Sequence, residues 1–218
     1  MLEQKLKKIV KLTAHTQRNW DLSVPFPQPH TEKIVDFATS ACPSKNGINF
    51  FDIAIITDLS IRTALYNCTK GYNTDYGKIP NSQILAPLVL VWLNKYRKAE
   101  TNLDGEAEMT DAYWDDESLL KEKEMTDGIF HLQELTAMHV GLSGGYANIM
   151  AGSLGYKTGF CKCFSDRKQM KHILGVDQKV ELMLGIGEAN ETLDHYIHQD
   201  GNTEYGTTIR EPIKVIKL

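Results

Sequence analysis

Residues 126–154 read TDGIFHLQELTAMHVGLSGGYANIMAGSL, a long stretch in which apolar side chains recur at helical spacing. Leu132, Leu135, Met138, Leu142 and Ile149 follow this spacing, which predicts one long helix. Small residues from 141 to 147 would allow another chain segment to approach this helix closely. We therefore expect the long helix to make a tight contact with a second helix or with another subunit.

Apolar runs on both sides of this helix predict strands. The run at 50–57 is mostly apolar and the run at 85–93 is continuously apolar, which is typical of buried strands. Residues 179–188 predict a strand that ends in glycines. Residues 213–218 predict a short final strand-like tail. Shorter helices are predicted at 2–13, from about 29 to 41, from Asp58 to Cys68 and at 165–174. This pattern predicts a mixed helix–strand fold in which helices bracket a small sheet.

Length and composition predict an ordinary globular protein. The chain has 218 residues, 42% of them hydrophobic, and a formal net charge of −4, so we expect one large domain or two small ones and no nucleic-acid partner. The apolar run at 84–93 is well short of the ~20 residues that a membrane span needs. The first residues contain no apolar signal core, so we expect a cytoplasmic protein with no membrane partner.

An acidic excursion occupies about 98–127. It contains eleven Asp and Glu residues against three lysines. Such a run is typical of a solvated surface segment, and Tyr113 and Trp114 within it leave open a flexible lid over a substrate.

Metal and hydrolase motifs are missing. The four cysteines lack the paired C-x-x-C spacing of structural zinc sites, so we expect free thiols. His195 and His198, beside two aspartates, could share a helix face and bind a metal, but without a third ligand a surface loop is favoured. The chain has no phosphate-binding Walker loop, no G-x-G-x-x-G and no G-x-S-x-G.

Three segments and one arginine carry donors suited to an anionic planar ligand. Residues 15–20 (HTQRNW) offer His15, Thr16 and Arg18, whose guanidinium forms a planar fork that suits phosphate. Residues 43–51 offer Ser44, Lys45 and Asn49. Residues 158–164 follow the long helix as a loop with exposed backbone N–H groups, and Arg210 is a further candidate contact.

Taken in order, these segments resemble the nitroreductase family of FMN-dependent oxidoreductases. The family opens with an Arg/His-Ser-x-Arg/Lys-x-aromatic element, which residues 15–20 match with Thr in place of Ser. The family's Ala-Pro-Ser at the end of a helix corresponds to 41–44. Its Gln-Pro-Trp is replaced here by Asn-Phe-Phe at 49–51. Residues 81–87, 147–164, 184–187 and 210–216 resemble the family's later elements in the same order.

The resemblance implies an α+β fold with a small, mostly antiparallel sheet bracketed by helices and a long central helix at a homodimer interface. It implies that FMN phosphate and ribityl contacts come from His15, Thr16, Arg18 and Arg210. Contacts to the polar edge of the ring would come from Asn49 and Gln83. The backbone of Cys161, Lys162 and Cys163 would lie near the reactive N5 atom, with Ser44 and Lys45 as further cofactor-binding residues.

The implied reaction is hydride transfer from NAD(P)H through flavin N5 to an electron-poor small molecule, such as a nitroaromatic or quinone-like acceptor, by a ping-pong mechanism. The cofactor carries this chemistry, so no catalytic side chain is expected. Two alternatives remain open. One is a specialised member of the family, such as a reductive dehalogenase or a flavin-fragmenting enzyme. The other is a flavin-binding protein with little turnover.

Overall fold

The computed structural model describes residues 2–44, 49–74, 77–95, 97–101, 107–113, 127–205 and 214–216. Five α-helices lie in this part of the chain: α1 Leu2–Thr13, α2 Gln28–Thr39, α3 Leu59–Asn67, α4 Asp127–Ser153 and α5 Arg167–Leu174. The strands are β1 Phe51–Ile56, β2 Tyr72–Thr74, β3 Gly77–Ile79, β4 Leu88–Asn94, β5 Arg97–Thr101, β6 Ala107–Tyr113, β7 Lys157–Cys161 and β8 Val180–Gly187. A 3₁₀ turn at Ser82–Leu85 precedes β4.

A four-stranded sheet in the order β1-β4-β8-β7 forms the centre of the fold. All three of its strand pairings are antiparallel, with Ile55 opposite Leu90, Leu90 opposite Leu184 and Phe160 opposite Leu184. β1 and β7 are therefore the two edges. The strands β2–β3 and β5–β6 form two separate two-stranded sheets. The expected α+β class with a small antiparallel sheet is confirmed.

Apolar cores cover both faces of this sheet. Because side chains alternate along a strand, β4 sends Val89, Val91 and Leu93 into one core and Leu88, Leu90 and Trp92 into the other. The first core also contains Leu65 of α3 and Met170 of α5, and the second contains residues of α2 and α4. All seven residues of β4 are buried, as a central strand with helices on both faces requires.

Polar contacts hold the long helix α4 against the sheet. The Trp92 Nε1–H donates to Ser143 Oγ at 2.8 Å, and the Ser143 hydroxyl donates to the Ala38 carbonyl of α2 at 2.7 Å. A Cβ at Gly152 would lie 2.7 Å from Thr13 Cγ2 and 3.0 Å from Ile9 Cγ2, so this glycine allows α1 to approach α4 closely. This close helix contact lies at the C-terminal end of α4, outside the stretch at 141–147 where one was expected.

The glycines of the small-residue stretch at 141–147 have different surroundings. A Cβ at Gly144 would lie 3.1 Å from Leu182 Cδ2 and from Phe160 Cε1, so this position packs on the sheet instead of on a helix. A Cβ at Gly141 or Gly145 would meet nothing within 4 Å among the described residues.

Four sequence predictions differ from the structure. The strand predicted at 85–93 begins only at Leu88, because Leu85 belongs to the 3₁₀ turn and Pro87 lacks the N–H that a central strand would use. β1 is an edge strand, so Ile55 is largely exposed. Residues 157–161 form β7 instead of a loop, and Lys214, Val215 and Ile216 are exposed without regular structure. Within the acidic excursion, 102–106 and 114–126 lie outside the described residues.

None of the helices that the structure describes has the length and apolar character required to cross a membrane.

Candidate functional site

Backbone and amide hydrogen bonds fix the segment at 15–20 against a loop near the C-terminus. The Arg18 N–H donates to the His195 carbonyl at 3.1 Å, and Asn19 Nδ2 donates to the carbonyls of Asp194 and Ile197 at 2.6 and 2.9 Å. The side chain of Gln199 accepts from the Trp20 N–H at 2.6 Å and donates to the Trp20 carbonyl at 3.1 Å. These bonds hold two stretches that are far apart in sequence in one fixed arrangement.

The same segment covers the outer edge of β7. The Gln17 N–H donates to the Thr158 carbonyl at 2.8 Å, so 15–18 lies alongside the free edge of this strand. A Cβ at Gly159 would lie 2.6 Å from the Gln17 carbonyl oxygen and 2.9 Å from Gln83 Cγ. Only glycine fits at this position, because both Gln17 and Gln83 pack directly on its Cα.

A cluster of four basic side chains, His15, Arg18, Lys157 and His195, lies at the start of this edge. The rings of His15 and His195 are 5.0 Å apart between centroids. Burial lowers the pKa of the His195 imidazole, and the positive charges of His15, Arg18 and Lys157 act in the same direction. Asp194 opposes them. The cluster therefore has an excess of positive charge that would favour an anion.

Arg18 of this cluster also contacts the buried side chain of Tyr205. Its guanidinium carbon lies 4.6 Å from the centroid of the Tyr205 ring, a cation–π contact, and its Nη1 donates to the Thr16 carbonyl at 3.4 Å. Burial raises the pKa of Tyr205 to about 12, so its hydroxyl stays neutral and donates to the Pro80 carbonyl at 3.1 Å. The Ser82 hydroxyl donates to the Arg18 carbonyl at 2.5 Å.

Two buried polar atoms near Arg18 and Gly159 have no partner among the described residues. They are the Arg18 Nε, a donor, and the Gln83 Oε1, an acceptor on a side chain that is only 6% exposed. A buried polar atom without a partner costs about 1–3 kcal/mol, so such atoms are uncommon unless a ligand satisfies them. One donor and one acceptor suit the edge of a heterocycle that carries both kinds of group.

A cavity of about 1170 Å³ opens beside the basic cluster. Lys157 and His195 of the basic cluster line it, whereas His15 and Arg18 do not. The rest of the lining includes His30, Tyr156 and four carboxylates, Asp21, Glu188, Glu191 and Asp194. The Tyr156 hydroxyl and His30 Nδ1 are 2.7 Å apart. The cavity is large enough for a nucleotide-sized ligand to approach the basic cluster.

The cysteine segment at the end of β7 lies on the same strand edge. Cys161 is buried, whereas Lys162 and Cys163 are exposed. Burial raises the pKa of the Cys161 thiol to about 12, so it is protonated at neutral pH. The Lys70 N–H donates to the Cys163 carbonyl at 2.7 Å and fixes the backbone there. All four cysteines are free thiols, as expected.

The remaining candidate residues lie elsewhere or outside the described part of the chain. Half-buried Ser44 follows α2, and exposed Asn49 precedes the edge strand β1, where it lines a separate cavity of about 310 Å³. Three inter-strand spacings, about 14 Å, separate the β1 edge from the β7 edge. One copy of the chain therefore does not bring Asn49 to the basic cluster. Lys45 and Arg210 lie outside the described residues.

Sequence reasoning missed two members of the cluster. Lys157 carries no local motif, and His195 was assigned to a surface loop because no metal-ligand spacing surrounds it. The described residues contain no group of three or more His, Cys, Asp or Glu side chains that could hold a metal ion. The signal for His195 is its position beside His15, which depends on a contact between distant parts of the chain.

No protein-family model and no curated protein matches the sequence. Solved structures do match the fold. A nitroreductase family protein from Clostridium novyi NT has a TM-score of 0.59 at 12% identity, covering 88% of this chain and 90% of that one. An FMN-dependent nitroreductase from Clostridium difficile R20291 has a TM-score of 0.56 at 16% identity, covering 93% and 99%.

A proposed NAD(P)H:FMN oxidoreductase from Staphylococcus epidermidis has a TM-score of 0.60 at 14% identity, covering 95% of this chain and 92% of that chain. Coverage of nine tenths or so on both sides means that the likeness extends over the whole domain and not over one motif. The resemblance inferred from the ordered segments is thus confirmed at the level of the fold. The chain has the nitroreductase fold.

Proposed function

We propose that the protein is an FMN-dependent oxidoreductase that takes hydride from NAD(P)H and delivers it to an electron-poor acceptor, such as a nitroaromatic or a quinone. The observation that carries this proposal is the basic cluster beside two unpartnered buried polar atoms, on the β7 edge of a nitroreductase fold. When bound, FMN supplies a redox centre at N5 that serves donor and acceptor in turn, by a ping-pong scheme.

The phosphate end of the cofactor fits the basic cluster. Arg18 and Lys157 are permanent cations, and His15 and His195 add imidazole donors, so charge-assisted hydrogen bonds to a phosphate dianion are available. Thr16 adds a hydroxyl beside Arg18. Arg210 completes the proposed set from the resemblance alone. Binding of the anion would offset the repulsion from neighbouring cations that helps to lower the pKa of His195.

The ring end fits Gln83. The pyrimidine part of a flavin carries an N–H donor, which Gln83 Oε1 can pair with, and Arg18 Nε can donate to the ribityl chain between the ring and the phosphate. The backbone at Cys161, Lys162 and Cys163 continues the same strand edge and would orient the reactive side of the ring. We assign no catalytic side chain, since the role of the chain is to bind and orient both substrates and the cofactor.

The proposal includes a homodimer in which Ser44, Lys45 and Asn49 reach the cofactor from the second copy. Asn49 precedes β1, at the sheet edge opposite β7, and this position supports the arrangement. A stripe of exposed apolar side chains on α4, Met138, Leu142 and Ile149, recurs at helical spacing next to Gly141 and Gly145, where there is open space. An apolar stripe of this kind favours burial against a partner.

We further propose that 1–218 forms a single FMN-binding domain and that the protein is cytoplasmic, where NAD(P)H is available. The contribution of the acidic excursion at about 98–127 to substrate access is a matter for experiment.

The test is the visible absorption spectrum of the purified protein with FMN, before and after anaerobic addition of NADH or NADPH. Bound flavin that bleaches is the expected result. The Arg18→Gln variant should bind FMN about 10–100-fold more weakly, because it loses charge-assisted hydrogen bonds. Lys33→Gln, which removes an exposed cation on α2, is the matched control and should bind as the wild type does.

Two results would contradict the proposal. If the protein bound no flavin after incubation with FMN, the proposal of FMN as its cofactor would be wrong. If the bound flavin were reduced by neither nucleotide, the proposed reaction would be wrong and the protein would be a flavin-binding protein.

A further inference from the structure

We propose that His15 and His195 make cofactor retention depend on pH, so that the protein binds FMN tightly near neutral pH and loosens it as the solution becomes alkaline. This inference rests on the proposed function, because it assigns the phosphate of FMN to the basic cluster. It concerns two residues of this chain that lie on different segments and meet only in the folded protein.

The charges that act on the pKa of His195 are mostly positive, although Asp21, Glu188 and Glu191 line the same cavity as His195. Arg18 follows His15 on the same segment, and Lys157 approaches from β7. Asp194 is the carboxylate that favours protonation of His195, and it also accepts a hydrogen bond from Tyr196, at 3.1 Å. The Tyr196 ring packs edge-on against the His195 ring, with centroids 5.3 Å apart. Without an anion, a proton on the His195 imidazole is therefore repelled by the neighbouring cations.

A phosphate dianion reverses that balance. It attracts both imidazolium ions, so binding favours the protonated form of the two rings and draws protons from solution. By linkage, the pH at which the histidines lose these protons is the pH at which affinity for the anion falls. Arg18 and Lys157 stay charged throughout, so affinity weakens without disappearing.

The second ionisation of the phosphate sets the lower end of the pH range in which this effect is expected. A phosphate monoester becomes dianionic above about pH 6, while histidine is ordinarily protonated below about pH 6.5, and to higher pH beside an anion. Affinity should therefore be greatest where a dianionic phosphate meets protonated histidines, and should fall on the alkaline side. A histidine that binds its proton about tenfold more tightly in the complex makes the affinity for the anion about tenfold higher at acidic than at alkaline pH.

The experiment measures the dissociation constants of FMN and of riboflavin by quenching of flavin fluorescence, in buffers free of phosphate. FMN should bind about 2–10-fold more weakly at about pH 8.5 than at about pH 6.5, and riboflavin, which lacks the phosphate, should bind equally at both values. Calorimetry in two buffers of different ionisation enthalpy should record proton uptake when FMN binds near neutral pH.

Three substitutions test which histidines cause the pH dependence of FMN affinity. His195→Lys keeps a permanent cation at the same position, so its affinity for FMN should vary less with pH than that of the wild type. His15→Lys tests the other ring and serves if the first variant fails to fold. His172→Gln changes an exposed histidine on α5 and should keep the full dependence of the wild type.

The outcomes separate this inference from the proposed function. FMN binding with the same affinity at both pH values overturns the inference and leaves the proposed function intact. Parallel weakening of FMN and riboflavin also overturns it, since the ring and not the phosphate would then carry the effect. Failure of both flavins to bind at either pH contradicts the proposed function itself, and this inference with it.

Discussion

The central strand β4 and the outer edge of β7 belong to one sheet but are stabilised in different ways. All seven side chains of β4 are buried; six are apolar and pack into the cores on the two faces. The β7 edge is covered by 15–20, where Gln17 and Asn19 are buried and hydrogen-bonded. It is also covered by Gln83, whose side-chain carbonyl oxygen is buried but has no hydrogen-bond partner among the described residues.

The difference separates the parts of the chain that stabilise the fold from those that build a binding site. The stability that apolar packing contributes in β4 does not depend on a bound ligand. Polar atoms buried without partners at the β7 edge cost stability in the absence of a ligand, and they return that free energy when a ligand satisfies them. Substitutions in the two regions should therefore change different measured quantities.

The largest effect is expected in the core. Leu90→Ala removes a fully buried side chain of β4 and should lower the free energy of unfolding by about 2–5 kcal/mol. Ile55→Ala is the matched control, because Ile55 lies directly opposite Leu90 but is 48% exposed on the edge strand β1. Urea denaturation should show a loss of about 1 kcal/mol there. Equal losses would contradict the assignment of β1 to an open edge.

Gln83→Leu should have effects of opposite sign on stability and on binding. Removing a buried acceptor without a partner should raise the free energy of unfolding of the cofactor-free protein by about 1 kcal/mol and weaken FMN binding about tenfold. Denaturation without flavin and fluorescence titration with it measure the two quantities.

Gln178→Leu provides the contrast for this substitution. Gln178 is also buried, but its Nε2 donates to Asp52 at 2.7 Å. This variant should be less stable and should bind FMN normally. If Gln83→Leu also lost stability, its carbonyl oxygen would have a partner in the free protein.

The smallest effect concerns pH and the N-terminal half of α4. Burial lowers the pKa of His139, which packs against the rings of Phe50 and Phe51. The unfolded chain therefore binds a proton more readily than the native one, and stability should fall as the pH drops from about 6.5 toward the lower native pKa. Urea denaturation at about pH 7.5 and about pH 5.5 measures this loss.

His139→Gln should reduce that loss, whereas His172→Gln, at an exposed position, should preserve it. The same pH dependence in wild type and His139→Gln would show that another group causes the acid sensitivity.

Local patterns allowed much of the fold to be predicted. The helix at 2–13 follows from its own apolar spacing, and α3 begins where Asp58 accepts from the N–H groups of Ser60 and Ile61. α4 was predicted within two residues of its ends, and β8 within one. In each case the decisive interactions lie within a few residues, so the sequence carries them directly.

The site depends on contacts that no local pattern records. The segment of β7 was expected to be a loop from its position after the long helix and from the family resemblance. Its Gly159 is required by the approach of Gln17 and Gln83, which the sequence does not record. The segment at 15–20 was recognised as a candidate from its residue types. His195 and Lys157 were not, because their role comes from positions that only the folded chain creates.

The hydrogen bonds from Asn19 to Asp194 and Ile197 span 175 and 178 residues of sequence. During synthesis, the segment at 15–20 leaves the ribosome long before its partners exist, and contacts of such long range form late in folding. A nascent chain that stops short of residue 194 can build helices and local turns but lacks the loop that fixes Arg18. Under the proposed function, FMN capture requires a chain that already extends past Ile197, and FMN loading would report that synthesis has passed this loop.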